Sequence, residues 1–241
     1  MKILEKIVAK QKNKFGEDSV TIVCLGDSVT QGCFGCYKNT KNEIATVYDS
    51  KSSYSARLRE LFSLLYPTVQ INVVNSGISG GWARNGAARL ENDVLSFHPD
   101  LVVVSYGLND NGKDMDGIEE YIRSLRSIFE RVKQSGAEII FLTQNYMCTE
   151  TSPFLTDDDM KKLAKVLAER QNRGVLKAYF EKAKELCKEF DVEVCDLYAV
   201  WEKMEQGGIA TTELLANQLN HPIGEYHYYI AVKLLEKILE V

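Results

Sequence analysis

Short, continuous apolar runs recur along the chain and predict buried β-strands. Each run is rich in β-branched residues and is bounded by polar residues or glycine, as expected for strands covered on both faces. The runs are VTIVCL at 20–25, INVVN at 71–75, LVVVSY at 101–106, EIIFLT at 138–143 and VEVCDL at 192–197.

Segments with helical periodicity lie between these runs. Apolar residues recur every three or four positions near 53–65, 85–96, 118–134, 160–189 and 225–239, and a further stripe begins at Ile3 and Leu4. Strands and helices in alternation predict right-handed βαβ units, and therefore an α/β fold with a parallel sheet between two layers of helices. We expect one domain over residues 1–241, a length that a single α/β domain commonly reaches.

Composition narrows the classes of function. Apolar residues make up 45% and charged residues 26% of the chain, as in ordinary globular proteins. The net charge is −5 and no basic cluster stands out, so a nucleic-acid partner is not expected. The amino terminus lacks the apolar core of a secretion signal, and no run reaches the length of a membrane span, which predicts a cytoplasmic protein without a membrane partner.

Chemically useful side chains follow several of the predicted strands. The first strand ends in Gly26-Asp27-Ser28, the second in NSGISGG with Gly77, and the third in GLNDN with Asn109, while His221 lies in the loop before the last helix. Asp27 and Ser28 would also suit a simple helix cap, and Asn109 a simple turn. Together, however, they form the parts of an acyl-transfer site. Ser28 would be the nucleophile and His221 its base, and the oxyanion would be held by the N–H groups of Ser28 and Gly77 and the amide of Asn109.

Four ordered blocks make the chain similar to the SGNH hydrolases, the GDSL-type esterases and lipases. The blocks are GDSVTQG, NSGISGG, PDLVVVSYGLND and NHP, and the resemblance extends over roughly residues 20–231. It implies a flavodoxin-like three-layer α/β/α sandwich whose five parallel strands have the order 2-1-3-4-5. That order would bring Ser28 and Asn109 to the switch point, where open sheets bind ligands.

One departure from the family pattern concerns the residue that orients the histidine. The family usually carries an aspartate three residues before it, and here that position is Gln218. A neutral amide would stabilise an imidazolium less than a carboxylate does. The resemblance therefore leaves a Ser28–His221 dyad, oriented by Gln218, by Asn217 or by a loop carbonyl, with Asp196 and Glu213 as alternative acids.

Other polar residues are interpreted as structural. Asp27 and Asp110 should hold their turns, and 157–159 should begin a helix. Cys33 and Cys36 form a CxxC without a second ligand pair, which favours free thiols over a zinc site. His98 and His227 receive no catalytic role. Two long loops, 33–52 and 144–162, are candidate walls of a substrate site.

The expected function is hydrolysis of a small, soluble acyl ester, with an acetylated carbohydrate as the candidate that the family suggests. No metal or cofactor is expected, and the sequence does not indicate an oligomeric state. The alternatives are a lysophospholipase or thioesterase of the same family, and a non-catalytic flavodoxin-like binding module.

Overall fold

The computed structural model describes residues 1–240 and confirms the predicted parallel sheet; Val241, the last residue of the predicted domain, lies outside the described residues. The strands of this sheet are β1 (Val20–Gly26), β4 (Ile71–Gly77), β5 (Leu101–Ser105), β6 (Glu138–Leu142) and β7 (Glu193–Cys195). A separate hairpin consists of β2 (Cys33–Lys38) and β3 (Ile44–Tyr48).

The order of the five parallel strands is β4-β1-β5-β6-β7, which is the predicted order 2-1-3-4-5 when only these strands are numbered. β1 lies between β4 and β5 in the sheet and pairs with both. In this register Gly26 lies opposite both Gly77 and Ser105, so three carboxyl ends finish level with one another. The loops that follow β1, β4 and β5 therefore leave the sheet from one edge.

Helices cover both faces of the sheet. They are α1 (Lys2–Lys12), α2 (Ser28–Gln31), α3 (Tyr54–Leu65), α4 (Ala83–Asp93), α5 (Ile118–Gln134), α6 (Asp158–Asn172), α7 (Val175–Glu189), α8 (Leu197–Gln206) and α9 (Gly224–Leu239). In one layer α9 contacts α1 and α3, and in the other α5 contacts α4 and α7. α5 shows why such segments are helical: it buries Tyr121, Leu125, Ile128 and Val132 at spacings of three and four residues, which is one continuous stripe.

Parts of the predicted pattern of elements differ from the structure. The segment 160–189 is two helices, α6 and α7, because Gly174 between them has φ +74° and ends the first run. The last strand is shorter than predicted, and α8 starts directly after it, where the Asp196 side chain accepts a hydrogen bond from the Ala199 N–H. The first long loop contains the β2–β3 hairpin, which the periodicity did not indicate.

Two contacts hold the hairpin at the carboxyl edge of the sheet. At its base the Asp49 N–H donates to the Gly32 carbonyl at 2.9 Å. Toward its tip the Lys38 ammonium lies 2.9 Å from the Asp159 carboxylate in the first turn of α6. The two long loops therefore contact each other at the edge where the candidate residues lie.

Candidate active site

Ser28 is the first residue of the short helix α2, directly after the central strand β1. Asp27 is its N-cap, and its Oδ1 accepts a hydrogen bond from the Val29 N–H at 3.0 Å. The helix-cap interpretation of this tripeptide is therefore correct for Asp27, as predicted. It does not compete with the nucleophile interpretation of Ser28, because a helix start leaves the Ser28 N–H without an intrahelical acceptor.

His221 contacts Ser28 directly. Its Nε2 lies 2.9 Å from the Ser28 Oγ, and its Nδ1 lies 3.1 Å from the backbone carbonyl of Phe34 in β2. A carbonyl oxygen can only accept, so Nδ1 carries the proton and Nε2 is free to accept from the serine hydroxyl. The pair has the geometry of a nucleophile and its general base.

Burial determines the protonation state of the imidazole. Only 6% of His221 is exposed, and this burial lowers its pKa to about 4, while the hydrogen bond to Phe34 acts in the opposite direction. The imidazole is therefore neutral at physiological pH, which is the form that a general base needs.

The structure corrects the expectation for Gln218. Its Nε2 donates to the Leu215 carbonyl at 2.8 Å, so the side chain is held away from the imidazole. The alternative acids are not at the ring either: Asp196 accepts from Thr143 and pairs with Lys184, and Glu213 is exposed. The histidine is oriented by a carbonyl, as one alternative proposed, but the carbonyl comes from the hairpin and not from the loop of His221.

Asn217 shapes the histidine loop from within. Its Oδ1 accepts three backbone N–H groups, those of Leu219 at 3.0 Å, Asn220 at 2.9 Å and His221 at 2.9 Å. A single buried side-chain oxygen thus fixes the turn that carries the imidazole. The Asn217 Nδ2 also lies 3.6 Å from the Cys36 Sγ, so the loop contacts the hairpin a second time.

Asn109 lies beside the nucleophile turn, after β5. Its Nδ2 donates to the Gly81 carbonyl at 2.9 Å and lies 3.4 Å from Asp27 Oδ2. The amide has two hydrogens, and the one that points to Asp27 makes only this long contact, so it is the hydrogen that a developing negative charge would attract. This arrangement suits the predicted role in an oxyanion hole.

Gly77 does not provide the donor that the sequence suggested. Its N–H donates to the Asn75 Oδ1 at 2.9 Å, and a Cβ at this position would lie 2.2 Å from the Gln31 nitrogen. Gly77 is therefore required for the close approach of β4 to α2. The expectation that Gly77 donates to the oxyanion is therefore corrected, because its N–H already donates to Asn75.

Gly80 is the better candidate in the same loop. It has φ +73°, which favours glycine, and among residues 1–240 no hydrogen bond uses its N–H. The carbonyl of the next residue, Gly81, accepts the Asn109 amide, so this loop lies beside the proposed oxyanion donor. The second glycine of NSGISGG could have suggested it, but the sequence cannot show which N–H is free.

The two aspartates of the site are buried. Burial raises the pKa of Asp27 to about 6 and that of Asp110 to about 7, and each carboxylate accepts a backbone N–H that opposes the shift. Asp110 Oδ1 accepts the Ala83 N–H at 2.9 Å, which ties the start of α4 to the loop after β5. This contact fits the structural role predicted for Asp110.

Several other predicted roles can be placed. All six cysteines are free thiols, and burial raises the pKa of Cys33 to about 11. Asp157 caps α6, as the acidic run suggested. His227 is fully buried, and the centroid of its ring lies 4.8 Å from that of Phe34, so it supports the residue whose carbonyl contacts His221.

None of the helices within residues 1–240 combines the length and apolarity needed to cross a lipid bilayer.

Comparison with known proteins relates this chain to esterases and acylhydrolases. The model of the GDSL-like lipase/acylhydrolase family matches residues 24–227. An acetylxylan esterase of Geobacillus stearothermophilus is 30% identical over 162 residues, which is 63% of this chain and 72% of that protein.

Solved structures share the fold. A catalytic mutant of Axe2, an acetylxylan esterase from the same organism, has a TM-score of 0.65 at 23% identity, and the match covers 92% of this chain and 95% of the Axe2 chain. A two-domain esterase active on acetylated mannans has a TM-score of 0.67 at 17% identity, and the match covers 99% of this chain and 52% of the esterase chain. The family match spans most of the chain and includes the Ser28 and His221 positions, so this protein belongs to the GDSL-like lipase/acylhydrolase family and is a carboxylic-ester hydrolase.

Proposed function

We propose that this protein hydrolyses acetyl esters of a small carbohydrate through a Ser28–His221 dyad. The observation that carries the proposal is the 2.9 Å contact between Ser28 Oγ and His221 Nε2, with Nδ1 held by the Phe34 carbonyl. The dyad needs no carboxylate to select the tautomer, because the carbonyl already selects it.

The reaction follows from this geometry. Ser28 Oγ attacks the ester carbonyl carbon while its proton passes to His221 Nε2, and the carbonyl oxygen becomes an oxyanion. The oxyanion accepts hydrogen bonds from the Asn109 amide and the N–H groups of Ser28 and Gly80. The C–O bond to the alcohol then breaks, and Nε2 returns its proton to the leaving oxygen. Water, activated by the same imidazole, releases the acid from Ser28.

Two observations favour a short acyl group on a sugar. Only 6% of Ser28 is exposed, and such a buried nucleophile favours a short acyl group over a long chain. The relatives named above act on acetylated xylan and acetylated mannans, which supports a carbohydrate as the alcohol.

The test combines an active-site label with a substrate series. A fluorophosphonate should label the wild type and not Ser28→Ala, while Ser96→Ala, which removes an exposed serine far from the site, should be labelled normally. Chromogenic esters from acetyl to decanoyl should show the highest kcat/KM for acetyl, and acetylated xylo- and manno-oligosaccharides should release acetate.

The other outcomes would identify the alternatives. A preference for decanoyl esters would favour a lysophospholipase or thioesterase. Folded wild type that neither reacts with the label nor hydrolyses any ester would favour the binding module and overturn the proposal.

A further inference from the structure

Gln144 is a buried polar residue that the reaction above does not use. It follows β6, and only 2% of it is exposed. Both ends of its amide are occupied: Nε2 donates to Asp27 Oδ2 at 2.9 Å, and Oε1 accepts the Leu108 N–H at 2.9 Å. A buried amide with both ends satisfied forms a specific and rigid link.

The two partners of this link each precede a residue of the site. Asp27 is followed by Ser28, and Leu108 is followed by Asn109. Asp27 Oδ2, which accepts from Gln144, is also the oxygen that lies 3.4 Å from the Asn109 amide. Gln144 therefore connects the turn that carries the nucleophile to the turn that carries the oxyanion donor.

We propose that Gln144 is a positioning residue that fixes the distance between Ser28 and the Asn109 amide. This inference rests on the proposed function, because it assigns Gln144 an effect on the same acyl transfer. Gln144 does not touch the reacting atoms. It acts through Asp27 and Leu108, and an error of an ångström in such a distance can lower a rate about 100-fold.

The link needs one donor and one acceptor at the same side chain. The Leu108 N–H requires an acceptor, and the Asp27 carboxylate requires a donor. Glutamate at 144 would keep both contacts only while it and Asp27 share a proton. Once it ionises, two buried carboxylates would face each other and the contact would be lost.

Gln144→Glu is therefore the sharpest test, because its effect should depend on pH. We expect its kcat to approach that of the wild type at pH 5.5, where the two carboxyls share a proton, and to fall by about tenfold or more relative to the wild type by pH 8.5. KM should stay within about twofold, since the change affects transition-state stabilisation.

Other titratable and charged groups near Asp27 are the same in the wild type and the variant, so the ratio of their activities removes much of their contribution. They are Asp110, Tyr106, Tyr54, Tyr121, Cys33, Arg89 and, beyond Ser28, His221.

Gln171 provides a matched control. It is also a buried glutamine with both ends used, since Oε1 accepts the Met147 N–H at 3.1 Å and Nε2 donates to the Tyr198 hydroxyl at 2.9 Å. Its partners do not adjoin Ser28 or Asn109. Gln171→Glu should lower the melting temperature without a pH-dependent loss of kcat.

Gln144→Met gives a test without a new charge. It should lower kcat by about tenfold or more at every pH with KM unchanged, because it keeps the volume and removes both hydrogen bonds. If the glutamate variant does not fold, this variant alone decides.

The results separate the two proposals. A wild type without esterase activity would overturn both. An active wild type with a constant ratio for Gln144→Glu from pH 5.5 to 8.5, or with full kcat for Gln144→Met, would overturn only the role of Gln144.

Discussion

The pH dependence of ester hydrolysis tests how the imidazole is supported. His221 must be neutral to accept the Ser28 proton, and its burial lowers its pKa from the ordinary 6.5 to about 4. The difference corresponds to roughly 3 kcal/mol of preference for the neutral form. The titration of His221 should therefore leave activity intact as the pH falls through 6.5 and should abolish it only near pH 4.

The size of the effect can be stated at one pH. At pH 5.5 an imidazole with a pKa of about 4 is about 97% neutral, whereas one with the ordinary pKa is about 9% neutral. A site with the lowered pKa should thus retain nearly all of its kcat/KM at pH 5.5, and one with the ordinary pKa should lose about tenfold. A carboxylate at Nδ1 would move the loss to still higher pH, because it would favour the imidazolium.

The assay is kcat/KM for a chromogenic acetyl ester from pH 3.5 to 8 at constant ionic strength. Activity measured after return to pH 7.5 identifies any loss due to unfolding. Burial raises the pKa of Asp27 to about 6, so protonation of this carboxyl would appear as a second change in activity near pH 6. Asp27→Asn keeps the capping oxygen for the Val29 N–H but turns its NH2 group toward Gln144 Nε2, so it should lower kcat at every pH. It also removes the carboxyl of Asp27 from the titration, and the acidic loss of its remaining activity should lie near pH 4. If kcat/KM of this variant already falls at or above pH 6.5, the proposed environment of the imidazole is refuted.

Three substitutions test the surrounding contacts. Asn109→Ala should lower kcat by about 100- to 1000-fold in steady-state assays with little change in KM, because it removes an oxyanion donor. Asn217→Ala leaves three N–H groups without their acceptor, and at about 1 kcal/mol each it should destabilise the fold by about 3 kcal/mol, or about 6–12 °C in a thermal melt, whereas Asn217→Asp keeps the acceptor. Gln218→Asp should not raise kcat, because the native side chain is held at the Leu215 carbonyl and not at His221.

Each substitution has an outcome that would contradict its reason. Wild-type kcat in Asn109→Ala would remove that amide from the oxyanion hole. Equal melting temperatures for Asn217→Ala and Asn217→Asp would mean that the shared acceptor oxygen does not hold the loop. A faster Gln218→Asp enzyme would show that position 218 reaches the imidazole.

The pattern of apolar residues was sufficient to predict the sheet because it reflects burial on both faces. β5 is buried at every position, and α5 buries one continuous stripe. Shorter elements carried less signal. β2 and β3 are mostly half-buried or exposed, so their side chains do not form a clear apolar run, and the sequence pattern there indicates a loop.

The sequence by itself determined the strand order through its family blocks, and it singled out Ser28, Asn109 and His221 as candidate site residues, because the proposed roles need particular side chains. Only the tertiary structure decided which backbone groups complete the site. The Phe34 carbonyl beside His221 and the N–H of Gly80, which has no acceptor among residues 1–240, are backbone groups that nearly every residue possesses, so no residue type marks them. Their roles depend on which backbone groups are already paired and which elements lie beside them, and that is decided when the hairpin and the loop after β4 pack at the edge of the sheet.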